Sequence, residues 1–136
     1  MANTVTKKRI SNSVKTLIVE NDATTLDGST YVAIIDAVDV ESYDRASIQV
    51  LSNDEGGGLT CQVWGSLFDS AEALPVTNSK WVQIGDDVVV TASSGSLKAI
   101  STTALRLLAV TVKATDGSST TVITAGDCKV FLQGTI

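Results

Sequence analysis

The chain predicts an all-β protein, an antiparallel β-sandwich, jelly-roll-like, built from about eight or nine short strands. Three observations carry that expectation. Apolar residues recur with period two through most of the chain and nowhere sustain a helical period. Turn formers (Gly, Asn, Asp, Ser) punctuate the alternation at roughly 8–12 residue spacing, as in sandwiches and barrels. The 43% of hydrophobic residues are mostly Val, Ile, Leu and Ala, interleaved with Thr and Ser, a mixture that suits a pleated surface better than a helix.

A chain of 136 residues is long enough to bury one core and short for two. The expected organisation is a flexible basic N-terminal arm, residues 1–12, followed by a single β-sandwich domain, residues 13–136. Residues 1–19 hold Lys7, Lys8, Arg9 and Lys15 with no acid, while the whole is −5, which leaves −9 for residues 20–136. An acidic body with a short basic arm suits neither nucleic acid nor an anionic membrane. The N-terminus lacks the apolar core of a signal peptide, and the apolar runs are too short to span a bilayer, so the expected site of synthesis is a cytoplasm.

Taken in order, Val14–Val19 reads as the first strand, and Asp27-Gly28-Ser29 as a turn before the strand Tyr31–Val40, whose Asp36 and Asp39 mark its exit from the core. Tyr43–Trp64 reads as a hairpin around Asn53–Gly58, with Ala46, Ile48 and Val50 sharing one greasy face with Leu59, Cys61 and Val63. Residues 67–79 are the long loop, with Pro75 and a helical turn expected over 70–74. Trp81–Ile84 and Val88–Thr91 read as short strands joined by an acidic hairpin turn, Gly85-Asp86-Asp87. Ser93–Ser96 is the next turn and Leu97–Ile100 the next strand. In TALRLLAVTVKA the alternation changes phase, because Leu105 and Leu107 share one face and Val110 and Val112 another. A β-bulge near Leu107-Leu108 would reconcile the two, putting Leu105 and Leu107 inside before it and Val110 and Val112 inside after it. Asp116-Gly117 predicts a hairpin into Thr120–Thr124, and Cys128–Gln133 closes the fold.

The residues that could carry chemistry are few. With no histidine, the usual general base and transition-metal ligand are both missing. No Gly-x-Ser-x-Gly element surrounds a serine. Asp36, Asp39, Glu41 and Asp44 cluster in sequence, but not with calcium-loop spacing, and they read as a solvated strand edge. Gly56–Gly58 follow Asp54 and Glu55, which would repel a phosphate. Cys61 and Cys128 read as buried free thiols, with a disulfide the alternative if their strands face each other, and Trp64 and Trp81 as packing residues, with a platform for a sugar ring the alternative for either. The sequence points to no catalytic residue, cofactor or metal. Lys7, Lys8 and Arg9 are the candidate partner-binding residues, an arm that docks on an acidic neighbour.

YDRASIQV at 43–50, a strand ending in Trp64, WVQIG at 81–85, the Ser-Gly turn before Leu97, and LRLLAV at 105–110 resemble small β-sandwich structural proteins encoded in tailed-bacteriophage morphogenesis regions. The resemblance spans roughly residues 31–112 and rests on strand grammar rather than ligands. It implies a virion protein assembled in a host cytoplasm, without enzyme activity: a capsid decoration (cement) protein that contacts major capsid subunits, or else a tail tube or head–tail connecting component. It also implies a homo-oligomer, with a three-fold ring expected first. From a different class, a carbohydrate-binding module of a phage fibre or surface protein fits the same pattern.

Overall fold

A computed structural model describes residues 3–11, 14–52, 58–68, 80–91, 94–102, 105–115 and 121–135, with the backbone alone for 3–4, 6–11, 14–15 and 135. Among the described residues there are twelve strands: β1 (Asn3–Ser11), β2 (Val14–Asn21), β3 (Thr24–Leu26), β4 (Val32–Asp39), β5 (Arg45–Ser52), β6 (Leu59–Ser66), β7 (Val82–Gln83), β8 (Val88–Val90), β9 (Ser94–Ser101), β10 (Leu107–Ala114), β11 (Thr121–Ile123) and β12 (Cys128–Thr135). All pairings are antiparallel. The first sheet runs β1-β2-β12-β5-β9, the second β4-β10-β6 with β7 and β8 both on β6, and β11-β3 form a small ribbon.

Without β1 and the ribbon, this is the jelly-roll order: β2-β12-β5-β9 against β4-β10-β6-β7/β8, two four-stranded layers. The core lies between them. Leu17, Val19, Ile48, Val50, Val130 and Leu132 of the first sheet meet Ile34, Ile35, Leu59, Val63, Leu108, Val110 and Val112 of the second. Each such side chain, fully buried, contributes about 1.5–3 kcal/mol against conformational entropy. Leu26 and Ile123, from the ribbon, join the same core.

Topology corrects several local expectations. The segments expected to pair as the 43–64 hairpin lie in opposite sheets: β5 pairs β12 and β9, while β6 pairs β10, β7 and β8. Their apolar faces are the expected ones, but they meet across the core, because consecutive jelly-roll strands mostly change sheets. The tip, 53–57, lies outside the described residues. The hairpin expected at Gly85-Asp86-Asp87 is instead an interruption in one edge. β7 pairs Trp64 and Gly65, β8 pairs Leu59–Cys61, and residues between them bulge outward around Gly85, whose φ of 73° disfavours a side chain. β11 pairs β3 rather than β10, and the Asp116-Gly117 turn lies outside the described residues, as do the expected helical turn at 70–74 and Pro75. The turn expected at 93–96 is overrun by β9, which already begins at Ser94, whose N donates to Thr91 O.

The bulge expected near Leu107-Leu108 is not in β10, and Leu107 does not enter the core as that bulge required. β10 pairs β6 regularly from Leu107 to Ala114, whereas its ladder with β4 slips at two places, and each slip takes an extra residue from β4. Ile34 and Ile35 therefore both enter the core. In β10, Leu108, Val110 and Val112 face inward. Leu107 packs outside, with Trp64, Trp81 and Ala109, and Arg106 is ion-paired to Glu41 at 2.9 Å.

Residues 3–11, expected as an arm, form a strand hydrogen-bonded to β2 in register from Asn3↔Asn21 to Arg9↔Lys15. Thr4, Val5, Thr6 and Ile10 give the segment β-branched character that its charges obscure.

Candidate functional site

The outer face of the second sheet gathers the polar side chains that the core excludes. Because Leu59, Cys61 and Val63 point inward, the alternation of β6 turns Gln62 and Trp64 outward. β7 sets Gln83 opposite Trp64, and β10 sets Thr111 opposite Gln62 and Ala109 opposite Trp64. The bulge after β7 brings in Asp87. Its carboxylate accepts from Gln83 Nε2 at 2.6 Å, Gln62 Nε2 at 3.1 Å and the Tyr31 hydroxyl at 3.3 Å. Lys113 Nζ stands 5.0 Å from the centre of the Tyr31 ring, a cation–π contact.

The electrostatics follow from these contacts. The donated hydrogen bond from Gln83, then that from Gln62, holds the Asp87 carboxyl below its ordinary value. Burial first, and then the Asp87 charge, pushes the Tyr31 phenol up to about 12. Trp64 Nε1 donates to Thr111 Oγ1 at 3.0 Å, and its half-buried ring packs with Trp81, Leu107 and Ala109. Trp81 itself is 4% exposed. Both tryptophans thus pack, but on the outside of the sheet rather than in the main core. The cluster holds an aromatic ring, two carboxamides, an ammonium and one carboxylate, groups suited to binding hydroxyls. It has no nucleophile beside a base, and Asp87 has no second acid for paired carboxylate chemistry.

The other sequence-predicted residues do not join it. Lys7, Lys8 and Arg9 sit in β1, opposite Leu17, Thr16 and Lys15, and their side chains lie outside the described residues. Asp36 and Asp39 lie on β4. Asp39 Oδ1 accepts from Glu41 N at 2.9 Å, and among the described residues no three potential ligands converge on a metal position. Cys61 and Cys128 are buried free thiols. Burial pushes Cys61 up to about 12 and Cys128 well above its ordinary value.

The edges carry a different signal. The large apolar side chains exposed among the described residues are Val5 on β1, Val82 on β7, Val89 on β8, Leu97 on β9, Val122 on β11, and Leu67 and Phe68 just past β6. Leu67, Phe68, Val82 and Leu105, with Gly65 and Lys80, line a trough of about 290 Å³ beside β7. Sequence alternation does not reveal these positions, because it separates faces and not edges.

At the level of sequence the chain matches no family model and no curated protein. Among solved structures it is similar to the Bacillus endospore appendages described as disulfide-linked pili, at 14% identity and a TM-score of 0.48, over 100% of this chain and 92% of that one. It is also similar to the infectious bursal disease virus Gx strain structure, at 8% identity and a TM-score of 0.45, over 98% of this chain and 33% of that one. A third likeness is to the xylan-binding module CBM15, at 13% identity and a TM-score of 0.39, over 96% and 97%.

Proposed function

We propose that this chain is a non-enzymatic virion structural protein, a capsid decoration (cement) protein that stabilises a phage head by contacts with major capsid subunits. The observation that carries the reading is the placement of exposed apolar groups. They sit on strands that end a sheet, or beside one. A sandwich that turns apolar side chains outward along its borders is built to be flanked. A tail tube or connecting component would use the same borders.

The second reading, a carbohydrate-binding module, is favoured by the Tyr31, Gln62, Gln83, Asp87 and Lys113 cluster on the outer face. Jelly rolls serve both shells and lectins, so the fold does not choose between them.

Co-sedimentation with capsids assembled from the same genome's capsid protein tests the choice. The decoration reading expects binding at a fixed ratio, lost in Val82→Ser/Val89→Ser and kept in Gln62→Ala/Gln83→Ala. The opposite pattern, with the carboxamide variant losing signal on a glycan array, would replace it with the sugar-binding reading.

A further inference from the structure

We infer that two copies of this chain associate side by side about a two-fold axis, with the basic edge strand β1 of each lying along the acidic edge strand β4 of the other. The inference deepens the building-block reading, on which it rests, by naming a partner and a surface.

The first sheet ends in β1 and β9, and the second in β4 and β7/β8. On one side, β8 and β9 lie against each other, and that border has its own protection. The β7–β8 edge is interrupted, and Lys98 on β9 turns inward to donate to the Ile84 carbonyl at 2.6 Å, both devices that discourage a further strand. On the other side, β1 and β2 lie against β4. Here both sheets end in a long strand, nine residues in β1 and eight in the bulged β4, where the other side offers only two and three in β7 and β8.

Charge then selects the occupant. β1 holds Lys7, Lys8 and Arg9 with no acid, and β4 holds Asp36 and Asp39 with no base, Asp44 following at the next corner. Laying β1 along another β1 sets cations against cations, and β4 along another β4 sets acids against acids. The crosswise arrangement alone is complementary. Because both edges border the same side of one sandwich, a two-fold rotation makes the contact twice, an isologous and closed interface. The topology thus favours a pair over the three-fold ring expected from the sequence. Single exposed ion pairs contribute little, so the repeated contact and the apolar Val5, half exposed on β1, are what let the pairs add up.

The test is a charge swap read by sedimentation. Wild type should dimerise, with association weakening about tenfold or more from ~0.05 M to ~0.5 M salt as screening sets in. Lys7→Glu/Lys8→Glu/Arg9→Glu and Asp36→Lys/Asp39→Lys should each be monomeric alone. Mixed, they should form a heterodimer, since each reversed edge then meets its complement. Circular dichroism confirms that both variants are folded. A monomeric wild type, or variants that self-associate as wild type does, would overturn the inference. So would a mixture that stays monomeric while either variant merely melts lower, which would place the pairing within one chain. Any of these outcomes accompanied by intact capsid co-sedimentation leaves the decoration reading standing.

Discussion

Gly134→Ala should destabilise the protein, although a glycine in a strand is ordinarily a weak point. A Cβ added there would lie 2.7 Å from Ser42 O and 2.9 Å from Tyr43 Cα, where ordinary contact begins near 3.4 Å. The obstacle is backbone that cannot readily yield. Tyr43 N donates to Val40 O, Asp44 N to Gln133 O and Thr102 N to Asp44 O, all within 3.0 Å, and Thr102 Oγ1 donates to Tyr43 O at 2.6 Å. Residues 40–44 form the corner by which the chain passes from β4 in one sheet to β5 in the other. One methyl therefore presses on the junction of both layers, an overpacking that costs about 1–3 kcal/mol. For a chain of this size that lowers Tm by about 4–12 °C, measurable by calorimetry. Where a strand has room, Gly→Ala stabilises by about 0.4–1 kcal/mol through the unfolded state. A raised Tm would thus refute the close approach of β12 to this corner.

Other expectations follow from single contacts. Asn21 is buried, its Oδ1 accepting from Cys128 N at 2.9 Å and its Nδ2 donating to Asp22 O and Thr124 O; Asn21→Ala should cost about 1–3 kcal/mol in a denaturant titration by leaving these groups unpaired. Tyr31 should ionise near 12 rather than 10, in a phenolate absorbance step that Tyr31→Phe removes. Its folded value is raised, so its contribution to stability is complete below pH 10 and is lost as pH climbs toward 12. Cys61 and Cys128 should react with a thiol reagent only as fast as the protein opens, because both are buried and held protonated.

How much of this was legible follows from the kind of rule each feature obeys. Which side chains of β5, β6 and β12 enter the core was readable, since alternation is local and survives any choice of partner. Which strand pairs with which was not, because a jelly roll joins consecutive strands across the core and a hairpin pattern looks the same in sequence. The phase change read at Leu107-Leu108 is not there: β10 alternates regularly against β6, and Leu107 is buried outside with Trp64 and Trp81, an apolar cluster that alternation alone does not distinguish from the core. Residues 3–11 hid a strand behind three charges that suit an edge. The Asp87 cluster was invisible because Tyr31, Gln62 and the pair Gln83 and Asp87 come from three separate segments, and an interruption in an edge strand brings Asp87 into place.

On the proposed reading, the borders of the sandwich, and not its faces, are where this protein is held. Hydrogen exchange compared between the free protein and the protein bound to capsids measures that most directly. Amides of the β7–β9 border should slow on binding, while those of β1 and β4, covered already in the inferred pair, and of the central strands β10 and β12, paired on both sides, should not change. An unchanged border with new protection confined to the outer face around Gln62 and Gln83 would contradict the account.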